Sequence, residues 1–510
     1  MAKPKHKEST NRMESFPREC MTTYCGRCLW ICATWLICCV AVGVCEDAAG
    51  KLSRERNPRV LVDAYHAHSW IDTMPRMAMN QYHLLHGPSR VIHALREAEW
   101  SCEAQLGPWT KEVLANCEVI YLNLVSADRP PFTVDEVLAI ENFVKQGGGL
   151  FLVTDHTNCY FHNHVLGSLA ERLDLELTNE LLCDRPPHTT GPGNAWVVLS
   201  SFREHPITRG LERIAFQSGG CVDSRYGIIH SSNRSWGDWA NIPTYGDSNS
   251  PGFYGDFQQQ PIERTGPLAA VAAKEFGNGR IVVLGDQNCF GGVFLNYLDN
   301  RKLAIQTFHW LAKRECNENI VESNREKDRT LVWCLENPIG KESDFGDGSN
   351  EGLYHLYAWL GKMADARATN RERMDAKLMI LSCNKEPLSP QTAAMIQRFL
   401  AKPSKAVLIL DSKSGDAKSS ELDLLTRGFV KGKTEKVGEL DYTKWYNPMK
   451  SNLVICKNNL GWNNKQFPGP EATMNATQHA ISNQLIQLLS ELGVQQETQR
   501  TKSWLEERDE

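Results

Sequence analysis

A chain of 510 residues with 41% hydrophobic and 23% charged residues has ordinary globular composition and room for about two or three domains. A net charge of -5 and a pI near 6.3 leave no electrostatic footing for nucleic acid, which is excluded as a partner.

Residues 1–27 form a basic tail carrying Lys3, Lys5, Lys7, Arg12, Arg18 and Arg27 against Glu8, Glu14 and Glu19. The following 18 residues, Cys28 to Cys45, hold no charge. A basic flank before an apolar run predicts a signal or transmembrane helix, with the bulk of the chain extracytoplasmic at the cell membrane. Gly43-Val44-Cys45 is a mediocre cleavage site, so anchor and cleaved signal both stay open. Of the 17 cysteines, seven lie at or before Cys45; the ten beyond it are scattered and read as small buried hydrophobes. Residues 46–58 read as a charged linker.

A first α/β domain is expected over residues 59–315. Arg59–Asp63 (RVLVD) predicts a strand, followed by Ala64-Tyr65-His66-Ala67-His68. Gln81–Ala98 predicts a helix, Trp100–Gln105 a second strand and Val119–Val125 a third. Thr133-Val134-Asp135-Glu136 is a capping box opening a helix whose apolar face holds Val137, Ile140, Phe143 and Val144. Gly147–Gly149 stops it. Leu150–Thr154 is too hydrophobic for anything but a sheet buried on both faces, and it ends in Asp155-His156. A helix near Leu166–Leu173, a strand over Asn194–Ser200, strands over Pro267–Phe276 and Arg280–Leu284, and a closing helix over Leu298–Lys313 follow. Between them, residues 231–261 are rich in Gly, Ser, Asn and aromatics (Trp236, Trp239, Tyr245, Phe253, Tyr254, Phe257) and read as a long irregular insertion. It could stack on sugar rings or be pinned to the domain by its own aromatics.

Residues 316–329 read as a linker, 330–495 as a second domain and 496–510 as a charged tail. The second domain repeats the first. Phe132–Asp155 lies on Leu388–Asp411 without a gap, setting Thr133 over Ser389, Ile140 over Ile396 and Asp155 over Asp411. VIYLNLV (residues 119–125) matches Leu378–Asn384, and Asn452–Cys456 stands where Arg280–Leu284 stood. Strand–helix alternation in both halves predicts two tandem, mostly parallel sheets covered by helices.

Three polar clusters follow strands of the first domain: Asp63, His66 and His68; Asp155, His156, Asn158, His162 and His164; Asp286 and Asn288. Parallel strands present their carboxyl ends together, so Asp63, His66, His68, Asp155, His156, Asp286 and Asn288 are the candidate ligand-binding residues. His66, His68 and His156 are the candidate ligands for a divalent metal, although no HExxH or comparable signature is present. Taken one at a time, the acids also serve as turn caps and the histidines as loop residues. No GxSxG occurs, and Cys159 lies four residues past the end of its strand, too far for an elbow nucleophile.

Gly147–His156, then His205-Pro206-Ile207-Thr208-Arg209-Gly210-Leu211, then Gly277–Asp286, Asp299-Asn300 and a helix ending in Trp310-Leu311 resemble, in that order, the class I glutamine amidotransferase-like superfamily. The nearest branches are the trehalose-utilisation-type proteins and the domains of gliding-motility and intraflagellar-transport subunits. The resemblance implies a flavodoxin-like three-layer sandwich, with the site at the elbow carrying Asp155 and His156. Members that hydrolyse glutamine place a cysteine at that elbow and a His-x-Glu pair near the end. Neither is present, so glutaminase activity is not expected. The expected function is binding of a small molecule or glycan at the carboxyl edge of the first sheet, the second domain packing or meeting a protein partner. A metal-dependent hydrolase acting on a carbohydrate or envelope substrate is the alternative, and a structural envelope subunit a third reading.

Overall fold

The structure, a computed structural model, describes residues 57–68, 87–191, 193–239, 254–316, 329–337, 344–383, 388–411, 425–427, 429–437, 440–446, 452–457, 463–465, 483 and 486–494. The apolar segment 28–45, the linker 316–329 for the most part, and Tyr245 and Phe253 of the insertion lie outside these residues. Among the described residues no helix is long and apolar enough to cross a membrane.

Apolar runs with no polar face set the positions of the central strands. In chain order the first half contributes β1 (Arg59–Asp63), β2 (Ser101–Gln105), β3 (Val119–Leu122), β4 (Gly149–Val153), β5 (Glu180–Cys183), β6 (Val198–Leu199), β7 (Ser201–Phe202), β8 (Ile214–Ala215), β9 (Gly227–His230), β10 (Trp236–Trp239), β11 (Ala269–Phe276) and β12 (Gly279–Leu284). Its main sheet runs β2-β1-β3-β4-β12-β11-β9-β7. The first five strands are parallel, and β11, β9 and β7 continue antiparallel. Every residue of β3 and β4 is buried, as strands covered by helices on both faces require.

Helices α1 (Ser89–Glu97), α2 (Lys111–Leu114), α3 (Val134–Lys145), α4 (His162–Arg172) and α5 (Asn300–Leu311) supply the outer layers. Val91, Ile92 and Leu95 of α1 and Leu303, Ile305 and Phe308 of α5 pack with Val60, Tyr121 and Phe151 in one core. Val137, Ile140 and Val144 of α3 and Leu166 and Leu169 of α4 pack with Leu61, Ile120 and Leu150 in another. Because neighbours in a strand point to opposite faces, these two residue sets mark the two sides of one sheet, and the architecture is a three-layer sandwich. The capping box forms as its spacing requires: the Thr133 hydroxyl accepts from the Glu136 N–H, and the Glu136 carboxylate accepts from the Thr133 N–H at 2.9 Å. Gly147, at φ +122°, takes the chain out of α3 into β4 in a conformation that side chains resist.

The second half repeats this plan with β13 (Leu331–Leu335), β14 (Asp365–Thr369), β15 (Leu378–Ser382), β16 (Ala406–Asp411), β17 (Val430–Val437), β18 (Leu440–Tyr446) and β19 (Asn452–Lys457). Its helices include α6 (Tyr354–Met363) and α7 (Pro390–Leu400), the latter capped by Ser389. The order is β14-β13-β15-β16-β19-β18-β17, which corresponds strand for strand to β2-β1-β3-β4-β12-β11-β9. The register differs by one residue from the sequence match. Leu378 and Asn452 both pair with Ala406, which the ungapped repeat lays on Leu150, and Leu150 pairs with Ile120 and Ile281 rather than Val119 and Arg280. A strand buried on both faces carries no alternation, so its residues do not reveal a one-residue slip.

The two sheets belong to one compact unit, Pro58–Glu510. After β12 the chain makes a tight turn over Gly292–Asn296, and Val293, Phe294 and Tyr297 enter the second core beside Val332, Phe345, Leu353 and Tyr357. Tyr297 bridges in parallel to Ala368, its hydroxyl donates to Glu336 at 3.1 Å, and Arg371 pairs with Asp299 at 3.0 Å.

Two expectations are corrected. Asn194–Ser200 is not one strand: Val198 and Leu199 pair with Ile214 and Ala215, Val197 makes an isolated bridge to Thr189, and Asn194, Ala195 and Trp196 turn out to wall a cavity. The segment 231–261 is not irregular throughout. Trp236–Trp239 pairs antiparallel with β5, and the Asp238 carboxylate ties down the returning limb by accepting from the Phe257 N–H at 2.6 Å.

Candidate functional site

The loops after β1, β4 and β12 leave the sheet at its carboxyl edge, and the three clusters divide into two neighbourhoods. In the first, Asp63 is fully buried and accepts from the His66 N–H at 3.2 Å. Burial pushes its carboxyl up to about 6, against the pull of His66. The His66 ring has no exposed surface. Its Nδ1 lies 2.6 Å from the Pro130 carbonyl, its Nε2 lies 3.1 Å from Glu136, and it stacks on Phe132. Both ring nitrogens are therefore committed to the start of α3, and His66 fastens the β1 loop to it.

The Asp63 shift has a sign that can be tested. A carboxyl raised in the folded state adds stability below its ordinary pKa and loses it as the pH climbs through about 6. Asp63→Asn is expected to raise unfolding stability at pH 8 by up to about 3 kcal/mol and to leave it unchanged near pH 3.5. Urea unfolding at the two pH values measures this; an equal effect at both would refute it.

In the second neighbourhood, Asp155, His156, Thr157, Asn158 and Cys159 are all buried. The turn that carries them is strained: Thr157, Asn158, Tyr160 and Phe161 all have φ between +46° and +55°. Non-glycine residues hold such values only where their surroundings enforce them. Here the clamp is His162, whose Nδ1 donates to the Cys159 carbonyl at 2.8 Å while its Nε2 accepts from the Asp155 N–H at 3.4 Å. Burial holds the His162 ring down near 4, so it serves as a neutral donor and acceptor. The His68 ring stacks on Tyr160 with centroids 3.5 Å apart, joining the β1 loop to this turn.

Asp286 meets Asp155 from the neighbouring strand. Its two oxygens accept from the Gln217 N–H at 2.6 Å and the Asn288 N–H at 2.7 Å, while Asp155 accepts from the His156 N–H at 2.8 Å and the Gln287 N–H at 3.4 Å. Burial and then the charge of Asp286 push Asp155 well above the usual carboxylate range, and burial raises Asp286 too. Among the described residues no Lys or Arg forms an ion pair with either acid. The backbone of Gly219-Gly220 threads beside them: a Cβ on Gly220 would stand 2.7 Å from the Asp155 carbonyl oxygen. The Asn288 amide donates to the Gln217 carbonyl at 3.2 Å.

A cavity of about 540 Å³ lies beside this pair, walled by Asn194, Trp196, Ser218, Tyr254, Phe257 and, from the second lobe, Asp347. Ser218 directly precedes the glycine pair, and Tyr254 stacks on His156 with centroids 4.6 Å apart, so these two lining residues link the cavity to the acids, which do not themselves line it. Asp155, His156 and Cys159 each bring a ligand-type atom within 4.8 Å of the others; His66, His68 and His156 form no such group among the described residues. Thus Asp155, His156 and Asp286 come together, His68 and Asn288 adjoin them, and Asp63 and His66 serve the separate network around Glu136. Cys159, Ser218, Trp196 and Asp347 were not singled out by sequence as ligand-binding residues. The Gly219-Gly220 doublet was the available signal for a backbone forced close to the site.

No family model matches the chain, and no curated protein matches it in sequence. Among solved structures, it is similar to the mmIFT52 N-terminal domain at 15% identity, covering 51% of this chain and 99% of that one with a TM-score of 0.36. A ThuA-like protein from Parabacteroides merdae shares 10% identity, with 52% and 93% covered and a TM-score of 0.32. The exo-β-1,4-mannosidase Op5Man5 from Opitutaceae bacterium strain TAV5 shares 13% identity, with 53% and 39% covered and a TM-score of 0.25. Such TM-scores carry no weight for the site, and the fold rests on the strand order itself.

Proposed function

We propose that this chain is an amidotransferase-like protein without glutaminase activity that binds a small ring-bearing, hydroxyl-rich ligand such as a glycan in the cavity beside Asp155 and Asp286. The observation that carries the reading is the cavity wall: three aromatic faces, Trp196, Tyr254 and Phe257, stand among the polar groups of Asn194, Ser218 and Asp347. Flat apolar rings with a few convergent polar groups suit the faces and hydroxyls of a sugar. Glutaminase chemistry lacks its nucleophile. Cys159, the thiol on the turn, is buried, and burial followed by the charge of Asp155 raises it well above its ordinary range.

In the same proposal, residues 28–45 hold the protein at a membrane with its bulk outside the cytoplasm. The second lobe meets a protein partner, for which the facing residues Val430 and Tyr446 offer apolar surface, 72% and 46% exposed. Alkaline extraction of membranes from cells making the full chain tests the anchor: it should stay in the pellet, and a form lacking residues 28–45 should not.

Titration calorimetry of the purified chain against a panel of mono- and oligosaccharides tests the ligand. At least one sugar is expected to bind, and Trp196→Ala to weaken it at least about tenfold, or about 1.4 kcal/mol. No binding at millimolar concentration across the panel, or ammonia release from glutamine, would end this reading.

A further inference from the structure

We propose that Asp155, His156 and Cys159 form a divalent-metal site of the zinc type, set in the strained turn after β4 and covered by Tyr254. The site does not depend on the saccharide reading of the neighbouring cavity. A carboxylate oxygen, an imidazole nitrogen and a thiol sulfur lie within 4.8 Å of one another, and all three residues are buried. Tetrahedral zinc with ordinary bond lengths sets its ligands about 3.4–3.6 Å apart. The His156 Nε2 already stands 3.9 Å from the Asp155 carboxylate, within about half an ångström of that spacing. The mixed oxygen, nitrogen and sulfur set favours zinc over magnesium or calcium, which prefer oxygen alone.

The surroundings are those a metal site needs. The His156 Nδ1 lies 2.6 Å from the Thr157 hydroxyl, which can accept its proton and leave Nε2 as the ligating lone pair. His162 bonds the Cys159 carbonyl and the Asp155 N–H, fixing the backbone of two ligands at once. Four left-handed residues at positions 157, 158, 160 and 161 shape the turn that brings the three side chains together. Among the described residues no Lys or Arg pairs with the Asp155 or Asp286 carboxylate, so no fixed cation competes with a divalent ion there. Three protein ligands leave a fourth tetrahedral position for water or a ligand group.

The test uses the full chain, stripped with a chelator and titrated with Co²⁺ as a spectroscopic stand-in for zinc. Near-equimolar uptake is expected, with the near-ultraviolet charge-transfer band of a cobalt thiolate and displacement by Zn²⁺. Cys159→Ser should lose that band while keeping the circular dichroism of the parent, and His156→Gln should weaken Co²⁺ binding at least about 100-fold. Glu263→Gln, in the separate acidic group with Asp238 and Asp256, should leave the band unchanged. Absence of a thiolate band in the parent chain overturns the proposal. So does a band that survives Cys159→Ser, which would place the metal on other cysteines such as Cys25 and Cys28. If Cys159→Ser does not fold, the affinity of His156→Gln decides: an unchanged value overturns the site. Saccharide calorimetry on the metal-free chain is read separately, so either idea can fail alone.

Discussion

Glu136→Ala is expected to remove about 3–5 kcal/mol of unfolding stability, the range for breaking a buried charged network at one partner. The Glu136 carboxylate is 3% exposed and accepts from the Thr133 N–H and hydroxyl, each at 2.9 Å, and from the Trp109 N–H at 3.0 Å, with the His66 Nε2 at 3.1 Å. Truncation leaves the Trp109 N–H and the His66 ring buried without that partner and removes half of the α3 capping box. Burial alone would raise this carboxyl, but the bonds from Thr133 and Trp109 and the field of His66 bring it below its ordinary range. A depressed carboxyl contributes stability above its unfolded pKa of 4.5 and loses it as the pH falls through the lower folded value. The gap between parent and variant should therefore be full at pH 7 and shrink below pH 4.5, with Glu136→Gln falling between the two. Urea unfolding at several pH values checks it; a gap that does not shrink in acid would refute the assignment.

Phe294→Ala is the second change expected to be severe, costing about 3–5 kcal/mol as a large buried ring replaced by a void. Phe294 is 1% exposed and lies edge-on to Trp196 and Tyr354, with centroids 5.8 Å and 6.0 Å away. It is held in the second core although it follows the last strand of the first sheet. The loss should be felt by both lobes, and because Trp196 leans on the same ring, ligand affinity in the cavity should fall with it. Calorimetric unfolding and saccharide titration of one sample measure the two effects together. A loss under 1 kcal/mol, or a cavity untouched by it, would mean that the ring is not what joins them.

Much of the architecture was legible because its signals are local and redundant. The capping box at Thr133, the glycine stop at Gly147 and the apolar run at Leu150 each predict the same boundary, and the structure places α3 and β4 there. The repeat was legible for the same reason, since cap, helix and strand recur at one spacing. Its register over the strands that flank β4 and β16 was not, because a strand hidden on both faces leaves no alternation to count. The site was half legible. Asp155 and Asp286 end adjacent parallel strands, so topology alone brings them together. His66 went elsewhere because a carboxylate 70 positions later reaches its ring, a contact no spacing announces. Trp196 and Asp347 were invisible as partners because one cavity wall comes from each lobe.

The core shared by the two lobes has a consequence for synthesis. Val293, Phe294 and Tyr297 leave the ribosome before any strand of the second sheet, although they belong to that sheet's core. With those rings absent, its Tyr354 and Tyr357 would lose the ring contacts made by Phe294 and Tyr297, at 6.0 Å and 6.1 Å. A version of the second lobe expressed alone would therefore have to carry the short turn that precedes it to keep its core whole.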